Sequence, residues 1–441
     1  MKRETILIVG AAGRDFFNFQ RFFKDKQEFD VRAFTAAQIP DIENRRFPKE
    51  LAGRLYPNGI PIYPEEKMAQ VIKELGIKNA VLSYSDLSHQ AVMEKASKVM
   101  AAGANFWLLA PDSTYLSTRK PVISVCAVRT GCGKSQTTRF IARHFIDRGY
   151  KTVAIRHPMP YGDLVKQRCQ RFATLEDMDR NECTIEEREE YEHLIRNGII
   201  VYAGVDYEMI LKRAEKEADL IIWDGGNNDT SFIKPNLQIV VADPLRLGHE
   251  LTYYPGHVNL LTANVVLINK ANSATRKAID TLKKTIHTYN PGAAIVVGYS
   301  VLKPSSTESL RRKRVLVIED GPTTTHGGMS TGAATAYVTK QQARIVNPES
   351  YAVGSIKEMY NKYPHLKKLL PAMGYSKTQI RELEETIKRT PCDVVVSGTP
   401  IDLTSLLSIN KKLIHIKYEL DDVQHGLTTA LQQFESAYLK K

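Results

Sequence analysis

The residues of this chain whose types and spacing speak most directly of chemistry are Thr130-Gly131-Cys132-Gly133-Lys134-Ser135. A β-branched apolar run (Val122, Ile123, Val125, Val128) precedes them, and a helical pattern of apolar residues follows. Two glycines allow the backbone N–H groups to turn into one concavity, and a helix starting near Lys134 adds the positive end of its dipole. In such a cradle a lysine sets its ammonium against the β- and γ-phosphates, and a serine hydroxyl ligates Mg2+. Thr130, Gly131, Cys132, Gly133, Lys134, Ser135 and Gln136 are therefore the expected nucleotide-binding residues, with ATP or GTP and Mg2+ as cofactors. The glycine that opens a full Walker A sequence is Val128 here, so the segment alone also fits a βα turn that uses glycine for close packing.

Two later segments add weight. The expected strand 219–223 ends at Asp224-Gly225-Gly226, the arrangement of a Walker B strand whose carboxylate holds Mg2+ opposite Ser135. The run 265–268 ends at Asn269-Lys270-Ala271-Asn272, in the position of a base-reading NKxD motif. Asn272 stands where that motif has aspartate. An amide both donates and accepts, so guanine is not enforced and adenine becomes admissible.

Cations gather after the strand 152–155, at Arg156 and His157, with Asp163, Lys166, Arg168 and Arg171 beyond. They suit a small polyanionic substrate or the γ-phosphate; a solvated basic face is the plainer alternative. Further on, 315–318 leads to Glu319-Asp320 and a loop rich in hydroxyls and glycine that contains His326, Gly327 and Gly328. That composition suits the cradling of a phosphate or carboxylate. Residues 176–193 are strongly charged and are expected to form a helical insertion on the surface, without a chemical role.

The elements that must position these groups alternate between strand and helix, which makes the chain α/β. The expected architecture is a three-layer P-loop NTPase core with a parallel sheet (119–305), flanked by a Rossmann-like N-terminal domain (1–118) and a C-terminal α/β domain (306–441). A chain of 441 residues is long enough for two or three domains. In the first domain, strands are expected at 6–9, 29–34, 80–84 and 106–109. Gly10 and Gly13 follow the first strand, but no acidic residue lies at the distance a dinucleotide fold needs. The loops at Arg14-Asp15 and Ser83–Asp86 fall beyond strand ends, where open parallel sheets bind ligands. Helix capping by Ser85, Asp86 or Ser88 is the alternative.

Composition narrows the classes. With 43% apolar and 25% charged residues, and no run near the roughly 20 apolar residues of a membrane span, the expectation is a soluble cytoplasmic protein. Five scattered cysteines form neither a disulfide framework nor a zinc set. A net charge of +12 favours anionic partners, but the basic residues are dispersed and no nucleic-acid module is legible, so no nucleic acid is expected.

The blocks VCAVRTGCGKSQTTR, IRHPMPYGDL, QRFATLEDMD, WDGGNND, VVADPLRLGHELTYYPG, INKAN, EDGPTTTHGGM and YAVGSIKE, spread over nearly the whole chain, resemble the cyclic 2,3-diphosphoglycerate synthetase family. Its bacterial members are often described as GTPases. The resemblance implies an ATP-driven closure of an intramolecular phosphoanhydride in 2,3-diphosphoglycerate, releasing ADP and phosphate, and a homodimer. Carried onto this sequence, Gly131, Gly133, Lys134 and Ser135 would bind nucleotide phosphates and Asp224 the Mg2+. Arg156, His157, Asp163, Lys166, His326, Gly327 and Gly328 would serve the substrate. The expected mechanism has Lys134, Mg2+ and Arg129 clamping the γ-phosphoryl group while Arg156 and His157 hold the acceptor. A regulatory GTP switch, or phosphoryl transfer to another small acid, is the alternative.

Overall fold

The computed structural model describes residues 3–439 apart from 12, 37–44, 157–161, 227–228, 326–328, 367 and 373–376. Its middle body is an eight-stranded sheet. In order across the sheet the strands are Gln170–Phe172, Ile200–Ala203, Thr152–Arg156, Leu220–Asp224, Val122–Ala127, Leu237–Ala242, Val265–Ile268 and Ala294–Val297. All neighbours are parallel except the edge strand Gln170–Phe172. Helices cover both faces, so the central strands are apolar and buried along nearly their whole length, as parallel strands must be. Register decides what meets at the carboxyl edge: Asp224 lies opposite Arg156 on one side and Val125 on the other.

A six-stranded sheet precedes it, ordered Arg46–Phe47, Ile60–Pro64, Phe29–Ala36, Glu4–Val9, Asn79–Leu82 and Asn105–Leu108. It is parallel except at the Arg46–Phe47 edge. Phe17 leaves this body to stack on Phe232 of the middle one, with ring centroids 4.0 Å apart and 3° between planes. A short antiparallel ladder joins Leu87–Ser88 to Tyr253–Tyr254. These contacts bring the loops at Arg14 and Asp86 against the carboxyl edge of the middle sheet.

The third sheet holds Tyr299–Pro304, Leu413–Asp421, Val394–Ser397, Arg314–Glu319 and Arg344–Ile345, with Leu370–Pro371 also beside Arg314–Glu319. Its first strand begins within the stretch read as the middle domain. The last helix, Gly426–Tyr438, returns to that domain and buries Leu427, Leu431 and Phe434 in its core. Among the described residues no helix is long and apolar enough to cross a membrane.

The charged stretch 176–193 is not a surface insertion. It forms helices Leu175–Arg180 and Ile185–Ile195, and Glu186, Glu187, Glu189, Glu192 and His193 are buried. Tyr191 stacks on Phe172 at 5.0 Å and Leu194 is fully buried, which pins one face of the second helix to the middle core. The opposite face meets the loops of the third sheet: Asp320 lies beside Glu189, and the Asp402 N–H faces Glu192. Charge density read as solvation was in fact a face closed between two bodies.

Candidate nucleotide and substrate site

The strand Val122–Ala127 runs into the glycine turn, and Gly133 caps the helix Lys134–Ile146. Gly131 and Gly133 have φ of +81° and +112°, a region that favours glycine. A Cβ on Gly133 would stand 2.1 Å from Nδ2 of Asn269. That amide donates to the Cys132 carbonyl at 2.8 Å, while Lys270 Nζ donates to the Gly131 carbonyl at 2.6 Å and pairs with Asp243 at 3.0 Å. Arg246 donates to Cys132 Sγ at 3.3 Å, and burial pushes that thiol up. The loop is therefore braced through its carbonyls, and the N–H groups of the first helical turn, which have no intrahelical acceptor, remain as the anion-binding surface. Burial lowers the Lys134 ammonium, opposed by Cys132, Asp224 and Asp86.

Asp224 is fully buried, and Arg156 Nη1 lies 2.6 Å from its Oδ2. No hydrogen bond reaches either Asp224 oxygen among the described residues. A buried carboxylate at the strand next to a P-loop, with lone pairs still open, fits a Mg2+ shell shared with Ser135 and phosphate oxygens. The other arm of Arg156 pairs with Glu190.

Several expected residues lie elsewhere. Arg129 turns to the N-terminal body, pairing with Asp86 at 2.9 Å, covering the Tyr253 ring at 3.7 Å and meeting His249 Nδ1 at 3.3 Å. The γ-phosphoryl clamp expected of Arg129 would require it to leave this ion pair. Asn272 donates to the Ser300 carbonyl at 2.9 Å and accepts from the Ser300 N–H at 3.0 Å. Both edges of the amide fasten a turn, and base reading by this side chain would require it to release Ser300. Asp163 accepts from the N–H groups of Val165 and Lys166 at 2.9 and 3.3 Å, and both Asp163 and Lys166 are exposed. They sit on a surface turn. Thr130 and Gln136 are buried at the loop, with Gln136 Oε1 accepting from Ser300 Oγ at 3.2 Å. His157, His326, Gly327 and Gly328 fall outside the described residues.

What sequence reasoning missed is the glutamate helix. Glu186, Glu189, Glu190 and His193 recur at spacings of three and four, which puts them on one helical face. His193 Nδ1 stands 3.2 Å from Arg139, whose other nitrogen donates to the Tyr418 carbonyl at 2.6 Å. Burial, then Arg139 and Arg156, hold His193 well below the usual imidazole range, so it is neutral. Burial likewise raises the Glu189 carboxyl far above its usual range, with Asp320 and Glu186 adding to it. Glu319 caps the helix Ala333–Lys340 through the Thr335 N–H and hydroxyl, both at 2.7 Å, and burial brings its carboxyl to about 7. A cavity of about 220 Å³ opens beside this face, lined by Arg139, Arg143, His193, His415, Lys417 and Tyr418 among others. On the other flank Arg14 pairs with Asp229 at 3.4 Å and covers the Phe232 ring at 4.7 Å.

A parallel sheet with a glycine-turned phosphate loop, a helix rising from it and an aspartate closing the adjacent strand defines the middle body as a P-loop NTPase fold. No family model matches the chain. It is 57% identical over 437 residues to a protein of Thermococcus kodakarensis named arginine synthetase ArcE, across 98% of this chain and 97% of that one. The chain belongs to the arginine synthetase ArcE family. That name is not the one read from the motif blocks. Among solved structures, LpxK of Aquifex aeolicus in complex with ATP is similar over 73% of this chain and 90% of its own, at 12% identity and a TM-score of 0.41. The hydrogenase maturation factor HypB of Archaeoglobus fulgidus is similar over 41% and 82%, at 18% identity and a TM-score of 0.27.

Proposed function

We propose that this chain is a nucleotide-driven synthetase whose product is arginine. The observation that carries the reading is its near full-length identity with a chain named for that product. The glutamate face beside the P-loop supports it, because a cationic product needs carboxylates and a polyanion does not.

The chemistry follows from the parts. A P-loop presents one phosphoryl group, so a guanidinium must be built on a carbon whose oxygen can be phosphorylated. For arginine that precursor is the ureido amino acid citrulline. Its ureido oxygen attacks the γ-phosphorus, breaking the bond to ADP and giving an O-phosphoryl isourea. Ammonia then adds to the carbon, the C–O bond breaks with its electron pair leaving on phosphate, and the surplus proton is lost to a base. Lys134 and the N–H groups of the loop offset charge developing on the transferred group. Mg2+ held by Ser135 and Asp224 would neutralise the nucleotide. Arg156, which pairs with Asp224 and Glu190, would follow charge as it moves onto the departing phosphate.

The cavity lined by Arg139, Arg143 and Lys417 favours one second reading: cyclisation of 2,3-diphosphoglycerate, as the motif blocks imply. Both are tested by supplying ATP and Mg2+ with either citrulline and ammonium or 2,3-diphosphoglycerate. Arginine with equimolar ADP and phosphate is expected from the first mixture. A cyclic phosphoanhydride from the second, with no arginine from the first, would reverse the assignment.

A further inference from the structure

Arg139 Nη1 donates to His193 Nδ1 at 3.2 Å, which places the ring proton on Nε2. That Nε2–H is buried without a hydrogen-bond partner among the described residues, on a side chain only 6% exposed. The ring lines the cavity of about 220 Å³ between the helix Lys134–Ile146 and the strand Leu413–Asp421 of the third sheet. Arg139 lines it too, and the partners of its guanidinium are neutral: the His193 ring, the Tyr418 carbonyl at 2.6 Å and the Tyr418 ring at 5.9 Å. A buried N–H donor costs free energy while it has no acceptor, and a guanidinium gains most from an anionic one. Both line one space. An oxyanion there would answer both.

The rest of the lining says which oxyanion. Lys417 and Arg143 add positive charge, and Glu419 adds a carboxylate that pairs with Arg143 at 3.6 Å. A phosphate needs only the cations; the head of an amino acid, a carboxylate beside an ammonium, needs both signs. Position agrees. Arg139 follows Lys134 by five residues on one helix, a rise of about 7–8 Å. Extended citrulline separates its carboxylate from its ureido carbon by a similar distance, about 7–8 Å. His193 also feels Arg156, which pairs with the Asp224 expected to carry the metal, so the cavity adjoins the phosphate-transfer edge.

We propose that Arg139, His193 and Lys417 form the subsite for the α-carboxylate of citrulline and of arginine. This rests on the arginine reading above and names what holds the amino acid while its ureido end meets the nucleotide. The carboxylate accepts from His193 Nε2–H and from Arg139, and Lys417 offsets its remaining charge. Glu419 meets the α-ammonium. A urea without the carboxylate leaves the buried donor unmet, which makes the site selective for the amino acid.

The test is calorimetric binding to the full-length protein with ADP and Mg2+ present. The probes are citrulline, inorganic phosphate and N-carbamoylputrescine, which is citrulline without its carboxylate. Wild type is expected to bind citrulline about tenfold or more tightly than N-carbamoylputrescine. Arg139→Gln should lose about tenfold or more of the citrulline affinity, while its N-carbamoylputrescine and ADP affinities stay within a factor of about three. Lys417 is exposed, so Lys417→Gln keeps the fold and should still lower citrulline affinity about threefold. Equal affinity of wild type for citrulline and N-carbamoylputrescine, or citrulline affinity unchanged in both variants, would overturn the subsite. So would phosphate bound in an Arg139-dependent way by a protein that binds no citrulline. If citrulline binding depends on Arg139 but no arginine is synthesised, the subsite stands and the synthetase reading falls. If both variants make arginine at the wild-type KM for citrulline, the subsite falls and the synthetase reading stands.

Discussion

Arg156 and Asp224 face each other in register on adjacent parallel strands, joined at 2.6 Å with both side chains withdrawn from water. The second arm of Arg156 reaches Glu190 on the glutamate helix. One guanidinium therefore links the expected metal carboxylate to the face proposed to meet the substrate.

Removing it leaves two carboxylates uncompensated. Arg156→Met is expected to destabilise the protein by about 3–5 kcal/mol, the usual cost of breaking a buried pair from one side. Arg156→Lys, keeping the charge but not the fork, should retain the fold and lose kcat. Denaturant melts and steady-state assays decide it; a fully active Arg156→Met would show that the linkage is incidental.

Gly133 admits no side chain. With φ at +112° and Asn269 Nδ2 2.1 Å from where a Cβ would sit, Gly133→Ala should abolish measurable nucleotide binding and cost about 1 kcal/mol or more. Lys134→Ala should lower kcat about a hundredfold or more with the fold intact. Nucleotide titration of both variants checks this, and near-wild-type turnover in Lys134→Ala would remove the loop from the chemistry.

Nucleotide choice should not depend on Asn272. Its amide fastens Ser300 through both edges. Asn272→Asp loses the donated bond, at about 1 kcal/mol, and leaves the ratio of kcat/KM for ATP and GTP unchanged within about threefold. A switch toward GTP would restore the base-reading role.

Glu319 makes stability depend on pH. Burial raises its carboxyl to about 7 from an unfolded value near 4.5, so between these values the folded chain binds the extra proton. Its contribution is fully present below about 4.5, declines as pH rises, and is gone above about 7, a swing of about 3 kcal/mol. Relative to Glu319→Gln, wild type should lose melting temperature across that interval. Parallel profiles for the two proteins would show that the carboxyl titrates normally.

How much of this was legible in sequence follows from what each feature depends on. The strands at Val122–Ala127, Leu237–Ala242 and Val265–Ile268 were readable because a strand buried on both faces must be apolar throughout. The glycine turn at Gly131 and Gly133, the helix start at Lys134 and the strand end at Asp224 were readable because they are local patterns. The destinations of Arg129 and Asn272 were not, since Asp86 and Ser300 come from distant chain and a residue type does not reveal its partner. The glutamate helix misled for a related reason: charged residues every turn describe a solvated face unless another body covers it, and only the tertiary structure shows that the loop carrying Asp320 does. The periodic Glu186, Glu189 and His193 held the signal.

The central claim is that the phosphoryl group is spent on a ureido oxygen to make arginine. Incubation with ATP, Mg2+, 15N-ammonium and citrulline labelled with 18O at the ureido oxygen tests it most directly, with arginine and phosphate read by mass spectrometry. One 15N in the guanidinium and one 18O in phosphate are expected for each arginine formed. No labelled arginine, or arginine accompanied by unlabelled phosphate, would contradict it.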